Sequence, residues 1–254
     1  MIWQSRFPTM CTVTFLARKN GFVLGMNRDE QKSRVKSLPP ALHFLDKRQA
    51  LYPFEPGGGA WVGVNDVGLG CAIVNWYAIP TRVEGSIESR GRMIPAMLAC
   101  NSRQEWEKRF ATMPLQKTNP FRLIGIFSAS RELLEWRWNL REVSFLKHPW
   151  SPGIWISSGH DEPGAQKIRS ETFNAAQKEN DAGQLIWLRR FHASHLPDQG
   201  PYSICMHRTD ATTVSYTEMV VTPKKIQLRH TTGSPCEKNR PICSELTMNH
   251  LRSI

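Results

Sequence analysis

Met10-Cys11-Thr12-Val13-Thr14-Phe15-Leu16, then Asn20-Gly21, then Phe22-Val23-Leu24-Gly25-Met26-Asn27-Arg28-Asp29-Glu30 is the stretch that decides how this 254-residue chain is read. Cys11 to Leu16 alternates with the period of a strand, and its β-branched residues favour that state. Asn-Gly between two such runs is the strongest short hairpin signal. Four polar residues, Asn27 to Glu30, end an otherwise apolar second strand, which suits the lining of a site. Across a tight hairpin the end of one strand lies beside the start of the other, so Asp29 or a neighbour approaches Cys11. The plainer alternative is a solvated loop in which Arg28 pairs with Asp29 or Glu30, a contact worth little.

Cys11 carries a mechanism once it is the first residue. This happens if translation begins at Met10 or if the preceding segment is cut away, so residues 1–10 are read as a dispensable or removed leader. A free α-amine titrates near pH 8 and can accept the thiol proton at close to neutral pH. One residue then supplies both nucleophile and base. The competing reading makes Cys11 an ordinary half-buried strand residue.

Further along the chain, a second hairpin is expected at Ala60–Val64 and Leu69–Val74. Lys32–Gly59, rich in Pro, Gly and charge, reads as a long surface loop. Helix is expected over about 90–110 with a break near Cys100-Asn101, and again over 163–178 and 183–193. Strands are expected at 121–127, 133–139, 154–157, 203–206, 212–217 and 226–230. Strands, helices and strands again predict one α+β domain over 11–230, followed by a basic irregular tail, 231–254.

Composition narrows the function classes. Apolar residues make up 40% and charged residues 22%, ordinary for a globular chain. No apolar run is long enough to span a bilayer. Six cysteines without a CxxC or a regular framework favour reduced thiols and a cytoplasmic location. The net charge of +11 invites nucleic acid, but Lys and Arg occur singly or in pairs and no nucleic-acid-binding signature accompanies them. An anionic small ligand remains compatible with it. His192 and His195, with Cys205 and His207, are candidate metal ligands by residue type, but their spacing differs from the usual zinc patterns. They read instead as a polar helix end and a buried strand, with Cys236 and Cys243 incidental to the tail. No metal and no cofactor are expected.

Met10-Cys11-Thr-Val-Thr-Phe with Asn27-Arg-Asp-Glu30 resembles the NRDE (transport and Golgi organisation 2-like) family. The resemblance continues through Gly57–Leu69, Ile73-Val-Asn-Trp76, Ser89-Arg-Gly-Arg92, Tyr202–Arg208 and Thr213–Thr217. The layout is similar, more distantly, to the choloylglycine hydrolase and penicillin V acylase group. That resemblance implies a four-layer αββα sandwich of the N-terminal nucleophile hydrolase type. It implies an amidohydrolase acting on a C–N bond, with Cys11 as nucleophile, Asp29 holding the α-amine and Asn75 donating to an oxyanion hole. Asn27, Arg28, Glu30 and Ser158 would support the site. Two positions depart from the pattern: its first Arg falls on Met26, and its late Asn falls at Ser157 or Ser158. The alternative implied by the family is a binding or trafficking module for haem, lipid or another anionic cargo.

Overall fold

A computed structural model describes residues 10–249. The proposed leader up to Thr9 and the last five residues of the tail lie outside them. β1 (Met10–Arg18) and β2 (Gly21–Gln31) form the expected hairpin, with Cys11 opposite Arg28 and Met10 opposite Asp29. Alternation gives this hairpin two apolar faces. Val13, Phe15, Phe22, Leu24 and Met26 enter one core, whereas Leu16 and Val23 enter another.

The second sheet supplies the rest of the first core. It contains β3 (Leu38–Leu45), β4 (Arg48–Phe54), β5 (Val62–Asn65), β6 (Leu69–Asn75), β7 (Phe121–Phe127), β8 (Glu132–Trp138) and β9 (Val143–His148), paired in that order. The hairpin's own sheet runs β10 (Gly153–Ser158), β1, β2, β11 (Ala211–Val221), β12 (Lys225–Thr232) and β13 (Ile242–Thr247). All neighbours in both sheets are antiparallel.

Helices cover the outer faces. α1 (Met93–Leu98) packs on β5 and β6, and Trp106 of α2 (Arg103–Ala111) meets Phe127 and Trp136 of the same sheet. α3 (Glu162–Ala176) packs on β10, and α4 (Leu185–His192) on β2. The result is a four-layer αββα sandwich. Two glycines permit its close contacts. A Cβ on Gly70 would lie 2.7 Å from the Phe22 ring, where the two sheets meet. One on Gly25 would lie 2.8 Å from Nε2 of His192, where α4 crosses β2.

Three expectations are corrected. Lys32–Gly59 is not a surface loop throughout, because β3 and β4 form a hairpin within it, turning at Asp46-Lys47. Pro39 and Pro40 are accommodated because β3 is an edge strand, where a missing N–H costs no ladder bond. The tail is not irregular throughout, since Ile242–Thr247 pairs in full with β12. Leu246 alone in that strand is buried, so the apolar pattern there is sparse. The 203–206 segment is buried but irregular, and an isolated bridge from His207 to Thr212 begins the pairing that follows.

Candidate active site

β1 places Cys11 facing the second sheet, half-buried against the core between the sheets. Its cross-strand neighbours are Arg28 on β2 and Ser157 on β10. The Asp29 backbone N–H points to the thiol, but burial and the nearby Asp29 charge prevail and push the Cys11 thiol up to about 12. With Met10 still attached, the strand therefore holds a protonated, weakly nucleophilic thiol.

Asp29 lies one residue along β2 from Arg28, so its carboxylate points to the opposite face of the sheet, beneath α3. It is fully buried. Oδ1 accepts from Thr213 Oγ1 at 2.6 Å, and Oδ2 lies 3.5 Å from Arg169 Nη1. Arg169, itself buried, also donates to Thr12 Oγ1 at 2.6 Å and to the carbonyls of Pro201 and Tyr202. Burial pushes the Asp29 carboxyl up to about 6 despite this cation and the Thr213 hydroxyl. The side chain thus lies next to the Met10 position of β1 rather than against the sulfur.

The other three residues of the Asn-Arg-Asp-Glu run do different work. Asn27 donates to the carbonyls of His192 and Ile204, both at 2.9 Å, and so ties α4 and the 204 segment to the sheet. Arg28 stacks 4.2 Å above the Trp61 ring and pairs with Glu30 at 3.1 Å and Glu55 at 2.5 Å. Arg34 closes the network on Glu55 at 2.7 Å and Glu30 at 3.4 Å. This is a buried strand end and not a solvated loop. Met26, in the position of the missing Arg, is core. Arg28 shares its face of β2 and so supplies a cation on the Cys11 side.

Asn75 ends β6 and donates to the Tyr77 hydroxyl at 2.7 Å. Ser158, opposite Met10, accepts from the Asp161 backbone N–H at 3.3 Å, just before α3 begins. Glu162 receives the backbone N–H of Ala78 and ties the segment after β6 to the start of α3. Arg90 interacts electrostatically with Cys11 and Tyr77, and with Arg34 and Arg82. Arg169, Thr213, Tyr77 and Arg90 are functional candidates that the sequence did not disclose. Arg90 and Thr213 stand in stretches that carry the family resemblance, but with no role readable from them. Arg169 and Tyr77 stand in none, and the packing of α3, β11 and the segments after β6 brings all four in.

The metal-ligand expectation divides in two. His192 is buried beneath β2, its Nε2 2.7 Å from Thr14 Oγ1. His195, Cys205 and His207 instead gather with Cys236, with their ligand atoms all within 4.8 Å of one another. A cavity of about 480 Å³ borders α4 and Cys236 rather than the Cys11 thiol.

Residues 10–170 match the family described as Transport and Golgi organisation 2. The chain belongs to that family. Among solved structures, a mutant of the conjugated bile acid hydrolase from Clostridium perfringens is similar, with a TM-score of 0.56 and 11% identity over 95% of this chain and 98% of that one. A second variant of that hydrolase gives 0.56 and 14% identity over 96% and 98%. A penicillin V acylase from Agrobacterium tumefaciens gives 0.45 and 7% over 86% and 82%. No curated protein sequence matches. The bile acid hydrolase likeness shows that this family member has the N-terminal nucleophile hydrolase sandwich. Among the described residues, no helix is long and apolar enough to cross a membrane.

Proposed function

We propose that the chain is an amidohydrolase whose nucleophile is Cys11, working once Cys11 is the first residue, on the C–N bond of a small anionic amide. The observation that carries this is the pairing of Met10 with Asp29 in the β1–β2 ladder. With Met10 removed, the α-amine of Cys11 would take its place beside a buried carboxylate that already has its own hydrogen bonds. The similar solved structures are those of a hydrolase of conjugated bile acids.

The steps follow from the groups present. The neutral α-amine takes the proton of the Cys11 thiol, and Sγ attacks the amide carbonyl. The oxyanion is held by the Asn75 side-chain amide and a backbone N–H, preorganised donors whose loss typically costs about 100-fold or more. Asp29 stabilises the ammonium, which then protonates the leaving nitrogen as the C–N bond breaks. Water, deprotonated by the same amine, attacks the thioester, releasing the acid and restoring the thiol. The net charge of +11, with Arg90 within electrostatic reach of Cys11, favours a substrate bearing a carboxylate or similar anion. The fold likeness gives haem or lipid cargo no support.

The test uses two forms of the protein, one beginning at Cys11 and one retaining Met1, both checked by intact mass and assayed on N-acyl glycines. The Cys11 form should hydrolyse them, and Cys11→Ala should lower its turnover by roughly a thousandfold or more. Equal turnover by the Met1 form, or by Cys11→Ala, would remove the α-amine or the thiol from the chemistry.

A further inference from the structure

We infer that His195, Cys205, His207 and Cys236 form a structural zinc site, separate from the Cys11 site. The four come from three places in the chain. His195 follows α4, Cys205 and His207 precede β11, and Cys236 lies in the short turn after β12. Their potential ligand atoms all lie within 4.8 Å of one another. His207 Nε2 is 3.6 Å from Cys205 Sγ and 3.4 Å from Cys236 Sγ. Zinc bonded tetrahedrally to sulfur and imidazole nitrogen has an N–S edge of about 3.6 Å, from ordinary Zn–S and Zn–N lengths. The two edges from His207 Nε2 already have that spacing, and the remaining ligand atoms lie within 4.8 Å.

Three further observations point the same way. The other ring nitrogen of His207, Nδ1, lies 3.3 Å from the Thr212 hydroxyl. A proton on Nδ1 donated to Thr212 leaves the Nε2 lone pair facing the two sulfurs, the outer-shell arrangement that orients a metal-bound imidazole. The ring of His195 stands at 80° to that of His207, centroids 5.0 Å apart, and its Nε2 is buried without a hydrogen-bond partner. Cys205 and Cys236 are both free thiols, so neither sulfur is held in a disulfide.

Two thiolates and two imidazoles select zinc over the hard, oxygen-seeking cations. Binding releases the two thiol protons, and the two thiolates neutralise the charge of the ion. Four protein ligands leave no position for water or substrate, which makes the role structural. What the ion would hold is the 195–207 segment. That segment presents the Ile204 carbonyl to Asn27 and the Pro201 and Tyr202 carbonyls to Arg169. A staple between His195 and Cys236 would therefore fix the layer that keeps Asp29 buried.

The test is metal analysis of the full chain purified under reducing conditions, followed by exchange of zinc for Co²⁺. The expected result is one zinc per chain, and for cobalt the thiolate charge-transfer absorption of a tetrahedral site. Cys236→Ser and His195→Gln, both at partly exposed positions, should weaken zinc binding by more than about 100-fold. Cys243→Ser, altering an exposed cysteine, should leave it unchanged. Absence of zinc with no cobalt charge-transfer band would overturn the site. So would unaltered affinity in both ligand variants, or a Cys205–Cys236 disulfide detected by mass.

Discussion

At Asp29, burial and hydrogen bonding pull in opposite directions. Desolvation wins and raises the carboxyl to about 6, while Arg169 and Thr213 keep it from rising further. The proposed chemistry needs Asp29 ionised so that it can hold the ammonium, and that ammonium lowers its pKa in turn. In the form beginning at Cys11, kcat/KM should therefore fall as the α-amine takes up a proton below about pH 8. A further, steeper acid limb should appear at or below about 6 as Asp29 is protonated. Asp29→Asn should lose activity about 100-fold and lose that limb, as measured by a pH–rate profile on the same amide. An unchanged limb in Asp29→Asn would assign it to another group. The sequence disclosed this residue because it lies in the polar end of a strand whose partner is fixed by an Asn-Gly turn. It did not disclose Arg169, since an Arg within a mostly polar helix looks the same whether it meets solvent or a buried carboxylate.

Among the elements, the β1–β2 hairpin and the β6 strand meet at a point where only glycine fits. Gly70→Ala should destabilise by about 1–3 kcal/mol, because its methyl group would press on the Phe22 ring at 2.7 Å. Urea unfolding would measure this, and adding Phe22→Leu should recover part of the loss. Additive losses in the double variant would show that the two residues do not share the contact. The same scale explains which strands were legible. β1, β2 and β6 to β8 are lined with buried apolar residues, so their pattern is strong. β3, with prolines at a sheet edge, and β13, with only Leu246 buried, follow from pairing with neighbours that a local pattern does not contain. Cys236, the fourth member of the proposed metal site, is hidden from the sequence for the same reason. His195, Cys205 and His207 stand close together in the chain, but their fourth member lies 29 residues past His207 in a turn whose position depends on β12.

Across the whole molecule the two sheets are joined by charge as well as by apolar packing. Glu135 on β8 is fully buried and accepts from Arg122 at 2.6 Å, Arg137 at 2.7 Å, His148 at 2.7 Å and Trp155 of β10 at 3.1 Å. Arg122 also donates to the Ile156 carbonyl of the other sheet, at 3.2 Å. These donors hold the Glu135 carboxyl far below its ordinary value of 4.5, although burial opposes them. Its folded-state value is depressed, so its contribution to stability is present above about 4.5 and lost as acid protonates it. Glu135→Gln should cost about 3–5 kcal/mol at neutral pH, by leaving buried cations without their anion. It should also make stability flatter between about pH 5 and pH 3, which thermal melts across that range would reveal. An unchanged acid slope would place the acid-sensitive group elsewhere.

Met10 is 1% exposed and paired on both sides, to Asp29 and to Ser158. A peptide bond in the middle of a finished sheet offers a protease no purchase. Under the chemistry proposed for Cys11, that residue is then best exposed before the ladder closes, by translation beginning at Met10 or by a cut made while the first hairpin is still open. Two copies of one polypeptide would share the same architecture and differ in competence solely by their history at synthesis.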